Sequence, residues 1–423
     1  MFSDMQQLKF LNVSHNKISC ISAAMFQNSM LLESLDISNN RIVVIDSNIF
    51  RIFYNLRRVF LNNNNITVVG ETRSLNENKN TCIHVYGLGN SQELDINVTD
   101  IESAPRRKQS IEEIDLSNNA LEFLDNSMFK HNTFLKNITA SYNSIHQINN
   151  GTFNNTIDLR ILQLNDNELV VVNASLLKNL TRLYYIRLDR NRIEFIEKYT
   201  FQDLIALEYL FLSNNRLKTF DATSLPISLK IIKLDHNDII ISTSSALILK
   251  SLETFNLSYN PLKNVIVDDL FYLPSLVYLG IVQTNVHEFS TDAFKNSARL
   301  AFMDLARSCV HSLSGRHFHN LPHLLVLDMS RPRTHGCAPG TDNVLSWKNI
   351  TLINSWFEHP YLQYLILTGH DICGDMYWNQ VIDNIFLSET WKLVFCSEEY
   401  EIPKLILSVD AKSVIFFRTF PME

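Results

Sequence analysis

The stretch LESLDISNNRI, residues 32–42, recurs along the chain with the same spacing of apolar residues and one asparagine. IEEIDLSNNAL starts at Ile111, and LEYLFLSNNRL starts at Leu207. All three fit the pattern LxxLxLxxNxL, in which L is leucine or isoleucine. A pattern restated at a fixed interval is typical of repeat proteins, whose units stack to bury an apolar face that none of them can bury alone.

The asparagine of this pattern sets the interval. Within each of two runs, successive asparagines are 24 residues apart, and after two shorter steps other residues continue the series. These positions are Asn16, Asn40, Asn64, Asn119, Asn143, Asn167, Asn191, Asn215, Asn237 and Asn260, followed by Thr284, Ser308 and Pro332. A second apolar position lies ten residues further on, at Phe26, Phe50, Phe129, Phe153, Phe201, Phe294 and Phe318, or at Leu177, Leu225 and Leu270.

The alternation of apolar and polar residues before each asparagine predicts a short strand. In residues 32–42, Leu35 and Ile37 fall on one face of that strand. The asparagine follows where the chain turns away, and its amide can both donate and accept hydrogen bonds. We therefore expect a ladder of buried asparagines beneath a parallel sheet, with the phenylalanines as a second apolar layer behind it.

The repeats resemble the 24-residue leucine-rich repeats LxxLxLxxNxLxxIxxxxFxxLxx of extracellular proteins, such as Toll-like receptor ectodomains and related arthropod proteins. This resemblance covers most of residues 1–372. It implies an α/β repeat fold, the leucine-rich repeat solenoid. Such a solenoid is curved, with a parallel β-sheet on its concave face and irregular or 3₁₀ turns on its convex face.

Breaks in the pattern divide the chain into five segments. Leucine-rich repeats occupy residues 1–69, where the first repeat is incomplete, and residues 111–330. Irregular repeats with a loop insertion occupy residues 70–110, and a second loop insertion occupies residues 331–360. The last repeat and a C-terminal cap occupy residues 361–423.

The cysteines after the last repeat are similar to those of the C-terminal caps of extracellular leucine-rich repeat proteins. The resemblance implies a disulfide between Cys373 and Cys396. Family caps normally carry a CxC motif and two bridges, whereas residue 375 here is aspartate. The pairing of the other cysteines stays open; these are Cys20, Cys82, Cys309 and Cys337.

Composition and motifs argue against an enzyme and against a nucleic-acid-binding protein. The formal net charge is −7, whereas nucleic-acid binding needs clustered lysine and arginine. The chain contains no GxSxG, HExxH, P-loop or GxGxxG motif. His317, His319 and His323 could be drawn as a metal cluster, but Phe318 and Leu321 beside them favour exposed histidines on a turn. We therefore predict no catalysis, no cofactor and no metal site.

The polar face of the predicted sheet carries the candidate site. Residues on either side of each inward leucine point outward, and in the middle repeats they include aromatic and cationic side chains, the types that dominate protein-interface hot spots. An ordinary mixed solvent-facing sheet is the alternative. The candidate binding residues, called the concave patch below, are Tyr185, Arg187, Arg190, Tyr209, Phe211, Lys233 and His236.

The family resemblance implies non-catalytic recognition of a protein ligand or co-receptor, in innate immune recognition. A cell-adhesion or developmental receptor fragment and an intracellular repeat scaffold or enzyme regulator are the alternatives. The resemblance also leaves a homo- or hetero-dimer open.

The expected location is extracellular or at the cell surface. The chain holds no apolar stretch of membrane-spanning length and no signal peptide. Met1 falls inside a repeat, so we expect an incomplete N-terminus. Ten N-glycosylation sequons give weak support for secretion, at Asn12, Asn65, Asn97, Asn137, Asn150, Asn154, Asn173, Asn179, Asn256 and Asn349.

Overall fold

The structure, a computed structural model, describes most of the chain between residues 5 and 330 and two short strands beyond it. Described are residues 5–21, 23–26, 29–46, 49–50, 53, 55–70, 110–220, 225–240, 247–262, 271–286, 289, 292–310, 317, 319–330, 364–366 and 393–395.

The chain forms a solenoid whose three-residue strands pair into one parallel sheet of fifteen strands, as the fold prediction requires. The strands of this long sheet are, in spatial order, β1 (Phe10–Asn12), β2 (Ser34–Asp36), β4 (Arg58–Phe60), β6 (Glu113–Asp115), β8 (Asn137–Thr139), β10 (Ile161–Gln163), β12 (Tyr185–Arg187), β14 (Tyr209–Phe211), β15 (Ile231–Lys233), β17 (Thr254–Asn256), β19 (Tyr278–Gly280), β20 (Phe302–Asp304), β21 (Val326–Asp328), β22 (Tyr364–Ile366) and β23 (Leu393–Phe395).

Neighbouring strands pair without any shift, so equivalent residues of successive repeats form straight columns across the sheet. Tyr185 pairs with Tyr209, for example, and Arg187 pairs with Phe211. Pairing also continues across residues 71–109, because β4 and β6 are direct neighbours in the sheet. The irregular repeats expected within residues 70–110 lie outside the described residues, apart from the two ends of that segment.

The core lies between the long sheet and the convex side, as the repeat pattern predicts. The middle residue of each strand points inward, and Leu35, Ile186 and Leu210 are all completely buried. Behind them is the layer of phenylalanines. The rings of Phe129 and Phe153, one repeat apart, have their centroids 5.9 Å apart and are stacked. Each repeat therefore buries its apolar residues mainly against the next repeat.

The buried asparagines form the predicted ladder. The Nδ2 group of Asn191 donates to the carbonyls of Leu188 and Asp189 in its own repeat, at 3.1 and 3.4 Å. It also donates to Leu164 O of the preceding repeat at 2.9 Å. Its Oδ1 accepts from the backbone N–H of Leu169, again in the preceding repeat, at 3.0 Å. One amide thus satisfies backbone groups of two repeats and ties them together.

The same four contacts recur along the solenoid, which confirms the ladder. They are made by Asn40, Asn64, Asn119, Asn143, Asn167, Asn215, Asn237 and Asn260. Further on, Thr284 and Ser308 replace asparagine, and each hydroxyl donates to a carbonyl of its own repeat. Within the described residues, neither side chain bonds to the preceding repeat, so the ladder ends at Asn260.

The convex side contains short regular elements between irregular turns. Among the described residues, 3₁₀ helices include Ala23–Phe26 and Ala174–Leu176. Four small parallel sheets, which the repeat pattern does not predict, join β3 (Val44–Asp46) to β5 (Val68–Gly70), β7 (Phe123–Leu124) to β9 (Gln147–Ile148), β11 (Val171–Val172) to β13 (Phe195–Ile196), and β16 (Leu247–Ile248) to β18 (Phe271–Tyr272).

The residue before each ladder position adopts a left-handed backbone conformation. Its φ lies between +51° and +56° in twelve successive repeats, and asparagine, which tolerates this region, is common there. Larger side chains also occupy it, and six of the twelve carry an aromatic or cationic group, namely His15, Tyr142, Arg190, His236, Tyr259 and Arg307. These residues therefore hold a conformation that the fold imposes on them.

Two cysteines of the described part are disulfide-bonded, namely Cys20 and Cys309, and none of the described cysteines is free. The predicted Cys373–Cys396 pair lies outside the described residues. Among the residues that the structure describes, there is no helix with the length and hydrophobicity that crossing a membrane requires.

Replacing a ladder asparagine should weaken the whole solenoid. Asn191→Ala leaves the buried N–H of Leu169 without an acceptor and removes one of the two donors from each of three carbonyls. We therefore expect the free energy of unfolding to fall by about 2 kcal/mol. Urea denaturation followed by circular dichroism measures the change. Asn126→Ala, at an exposed turn, is the control. Equal denaturation midpoints for the two variants would contradict the role of the ladder.

Relieving the left-handed strain should stabilise the protein. Gln283 is exposed with φ at +51°, and asparagine adopts this conformation more readily. Gln283→Asn should raise the free energy of unfolding by roughly 0.5–1 kcal/mol. Gln202→Asn makes the same change at a position with negative φ and is the control. It should not raise the free energy of unfolding. A lower urea midpoint for Gln283→Asn than for the unsubstituted protein would refute the strain.

Candidate functional site

The solvent side of the long sheet, called the concave face here, presents two columns of side chains. In each strand of the long sheet from β1 to β21, the first and third residues point to this face, and the middle residue points to the core. In β12, Tyr185 and Arg187 are half-buried whereas Ile186 is fully buried. We call the column of first residues the rail column and the column of third residues the central column.

Three aromatic rings of the concave patch pack together on β12 and β14. The Tyr185 centroid lies 6.0 Å from that of Tyr209 and 5.4 Å from that of Phe211. The Nζ of Lys233, on β15, lies 5.7 Å from the centroid of the Phe211 ring. Phe211 is only 9 % exposed, so it is less accessible than a residue of an open sheet face would be. The sequence pattern predicted that the Phe211 side chain points to this face, but not that it is nearly buried there.

The two arginines of the concave patch are held by carboxylates. Arg187 donates from Nε and Nη2 to the two oxygens of Asp189, both at 2.9 Å. Arg190 donates in the same way to Asp166 in the preceding repeat, at 2.5 and 3.1 Å. Hydrogen bonding to these aspartates raises the pKa of each guanidinium above its usual range. Both side chains are thus fixed in place by bidentate pairs.

Two groups of the concave patch are partly removed from water. Burial lowers the pKa of the Lys233 ammonium, although Asp235 and Asp189 partly offset the effect. Burial raises the pKa of the Tyr185 hydroxyl, which Arg187 partly offsets. A charge in such a partly buried position interacts more strongly with a partner than an exposed charge does.

The last member of the concave patch, His236, extends it toward β17. Its ring stacks on Tyr259 with centroids 4.1 Å apart, and its Nδ1 lies 3.1 Å from Asp235 Oδ2. The other oxygen of Asp235 accepts from Ser213 Oγ at 2.7 Å and from Asn256 Nδ2 at 3.1 Å. The patch therefore continues from β10 to β17 as one network.

The structure brings all seven predicted residues onto one face over three adjacent repeats. The predicted set omits the aspartates that organise them, Asp166, Asp189 and Asp235. Asp189 and Asp235 could be recognised in the sequence, since each occupies the second position after a strand, directly before Arg190 or His236. Asp166 has no such neighbour, and only the contact with Arg190 across repeats reveals it. Whether these residues bind anything stays a prediction.

A second polar group lies further along the concave face, on β19 to β21. Gly280 occupies the central column, and a Cβ there would lie 2.6 Å from Asn256 Oδ1 and 2.9 Å from the Tyr278 hydroxyl. The absence of a side chain lets Tyr278 lie across the strand. Burial raises the pKa of Tyr278 well above its usual range.

Beside Tyr278, two carboxylates share the central column. Asp304 and Asp328 pair directly across β20 and β21. Burial, with the charge of Asp328, raises the pKa of Asp304 to about 7, although a hydrogen bond from the Ala306 N–H acts in the opposite direction. Like charges directly opposite each other on neighbouring strands repel. Sequence reasoning did not single out this pair, because its effect depends on the exact strand pairing.

The histidines considered as a metal cluster do not form one. His317 is 4 % exposed, with Nε2 3.1 Å from Phe289 O, so the expected exposure of this residue is wrong. It packs at the edge of the Phe294 ring and completes the core there. His319 and His323 are more accessible. In the described part of the chain, no group of three or more His, Cys, Asp or Glu side chains is suited to hold a metal ion.

Comparison with known protein families bears on the repeats directly. A leucine rich repeat family model matches residues 1–42 and 181–239, and a model of the BspA type leucine rich repeat region matches residues 89–183. The chain therefore contains leucine-rich repeats. No curated protein sequence matches it.

Solved leucine-rich repeat structures share the fold. A chain of the LRIM1/APL1C complex is 17 % identical over 99 % of this chain and 65 % of that chain, with a TM-score of 0.57. A chain of the Drosophila Toll–Spatzle complex is 17 % identical over 73 % of this chain, with a TM-score of 0.56, and only 38 % of that chain is covered. The leucine-rich repeat domain of APL1B is 22 % identical over 74 % of this chain and 76 % of that domain, with a TM-score of 0.52.

The raised pKa of Asp304 predicts how stability depends on pH. Between about pH 4 and pH 7 the folded protein holds a proton that the unfolded chain releases, so stability falls as the pH rises through this window. Asp304→Asn cannot ionise. Its urea midpoint should therefore exceed that of the unsubstituted protein at pH 7.5, and the two should converge near pH 4.

Asp115→Asn is the matched control for Asp304→Asn. Asp115 lies in the same column and accepts the equivalent backbone hydrogen bond, from Ser117 N–H, but its strand neighbours Phe60 and Thr139 are uncharged. Both variants are made in a bacterial periplasm, because Asp115→Asn creates a sequon. A pH-independent difference between Asp304→Asn and the unsubstituted protein would contradict the carboxylate repulsion.

Proposed function

We propose that this protein is a non-catalytic recognition module that binds a protein partner through the concave patch, outside the cell, in innate immune recognition. The observation that carries the proposal is the packed group of Tyr185, Tyr209 and Phe211, flanked by Arg187 and Lys233, on the solvent side of a sheet. A purely structural sheet face has no need of three packed rings there.

The patch is rigid before any partner arrives. Asp189 and Asp166 fix the two arginines, and neighbouring rings limit the rotamers of Tyr185 and Phe211. A partner that covers these side chains therefore removes little conformational freedom, and this lowers the entropic cost of binding. Aromatic and arginine side chains with such support are the residues that carry most of the binding free energy in protein interfaces.

Several features support a location outside the cell. The disulfide bonds of Cys20 and Cys309 suit an oxidising compartment. Among the sequons, five have exposed asparagines outside the strands of the long sheet, at Asn65, Asn150, Asn154, Asn173 and Asn179. Sequon asparagines on the concave face are engaged instead: Asn12 donates to Asp36, and Asn256 donates to Asp235. Glycans at the exposed set would leave the concave patch open.

The structural neighbours support a protein partner and an immune role. Toll is solved with Spatzle in a complex described as a hub in development and innate immunity, and LRIM1 is solved with APL1C. In both, a leucine-rich repeat chain is found with another protein. We accordingly infer a protein ligand, a co-receptor or a second repeat chain as the partner, with a homo- or hetero-dimer as one form of that association.

Removing the patch should abolish partner binding. We expect Arg187→Ala with Phe211→Ala to weaken affinity at least thirtyfold, about 2 kcal/mol, because truncated hot spots cost this much. Because Tyr185 is half-buried, Tyr185→Ala disturbs the fold less and serves as a second variant. The measurement is binding to an array of secreted and cell-surface proteins, followed by titration of each hit.

A matched control carries the same substitutions on a flank. Arg192 pairs with Glu168 at 3.1 Å, and Phe195 on β13 is 54 % exposed, so Arg192→Ala with Phe195→Ala removes a paired arginine and a phenylalanine elsewhere. The flank variant should bind as the unsubstituted protein does. Partners retained by the concave variants, or lost equally by the flank variant, would refute the proposed site.

A further inference from the structure

The rail column changes character along the solenoid. In the first five strands of the sheet it is mostly polar, with Ser34, Arg58, Glu113 and Asn137 after Phe10. From β10 to β21 it is aliphatic or aromatic in every strand except β17, which carries Thr254. We call these seven residues the apolar rail: Ile161, Tyr185, Tyr209, Ile231, Tyr278, Phe302 and Val326.

The apolar rail is a strip on the concave face that Thr254 on β17 interrupts once. Direct strand pairing aligns its members, and five of them are partly exposed, whereas Ile231 and Val326 are 7 % and 9 % exposed. Seven strand-to-strand steps at about 4.8 Å give it a length of roughly 34 Å. The strip is thus long and one column wide.

The central column beside the rail changes charge from one end to the other. Opposite the start of the rail it carries Arg187 and Lys233, both near carboxylates of the same repeats. Opposite its end it carries Asp304 and Asp328 side by side. No basic residue occupies either column on β19 to β21, and Arg307, in the turn after β20, is exposed. The acidic end therefore lacks a counter-charge on its own strands.

The two ends of this surface define a distance. Tyr209 and Phe211 on β14 lie four strand steps from Asp304 and five from Asp328. At about 4.8 Å a step, the separation is roughly 19–24 Å. An extended chain covers this distance in about six or seven residues, whereas an α-helix needs about 13–16.

We propose that the concave face binds one extended peptide segment of a partner, lying along the apolar rail across the strands, with an aromatic or aliphatic side chain on Tyr209 and Phe211 and a lysine or arginine on Asp304 and Asp328. This inference rests on the proposed function and specifies its ligand. A segment of about ten residues matches the rail length. The basic side chain supplies the counter-charge that the paired carboxylates lack, and charge-assisted hydrogen bonds to them fix the register of the peptide.

The test uses synthetic peptides of twelve residues in a Gly/Ser host. Each carries a Phe–Leu pair and an Arg–Arg pair, in both orders. The spacing from the first residue of one pair to the first residue of the other is three, six, seven, ten or fourteen residues, and the peptides with a spacing of fourteen have a longer host. Spacings of six and seven should bind best in one order, by about tenfold over the others. A maximum at ten or fourteen would overturn an extended ligand of the proposed length, and equal binding at all spacings would overturn the geometry.

Two variants assign the ends of the peptide. The double variant Asp304→Asn with Asp328→Asn is made in a bacterial periplasm. It should lower the affinity for the peptide with a spacing of six about tenfold and leave the affinity for a peptide without arginines unchanged. Phe211→Ala should remove the preference for Phe–Leu and keep that for arginine. Asp115→Asn is the control and should change neither. An arginine preference that survives loss of both aspartates would overturn the proposal.

The two proposals fail separately. If array partners bind through the concave patch but none of the peptides binds, the extended-peptide ligand is wrong and the proposed function stands. If peptides bind with the expected spacing but no array partner depends on the patch, the surface is a peptide site and the whole-protein partner is wrong. If neither binds, both proposals are wrong.

Discussion

The asparagine amide beneath the long sheet is the interaction on which the rest of the structure depends. Each turn leaves carbonyls and an N–H pointing into an apolar interior, and a buried amide is compact enough to satisfy them from one position. Because the donor reaches one repeat back, as Asn191 does to Leu164, the interaction also fixes the spacing of neighbouring repeats. Direct strand pairing follows, and with it the straight columns on the concave face.

This regularity explains how a repetitive fold can carry a specific surface. The residues that build the solenoid point inward and repeat, so they leave the outward columns free to vary. In the middle repeats those columns hold a network in which every cation contacts a carboxylate or a ring. Toward the later repeats the same columns hold two adjacent carboxylates. One scaffold therefore presents two chemically different regions at a spacing set by the strand interval.

Much of the fold could be predicted from the residues alone, because period and alternation translate directly into strand, turn and core. The ladder from Asn40 to Asn260 and the phenylalanine layer are examples. The candidate site could be predicted only as a set of outward positions. Which arginine pairs with which aspartate depends on side-chain geometry across repeats, as in the reach of Arg190 back to Asp166. Other features depend on packing that no local pattern encodes. They are the low exposure of Phe211, the burial of His317 and the two-stranded sheets of the convex side.

The end of the ladder at Asn260 divides the described solenoid into two parts that differ in the side-chain bonds between repeats. Repeats up to that point are cross-linked by asparagine amides, whereas Thr284 and Ser308 bond within their own repeats and His317 reaches back to the Phe289 carbonyl. In a one-dimensional array, stability is set by the interfaces between neighbours, so opening begins where they are weakest. The later repeats, which contain Asp304 and Asp328, lack the asparagine amide that links the earlier ones. A ligand that contacts both parts would link them, so that binding on the concave face would also stabilise the later repeats against unfolding.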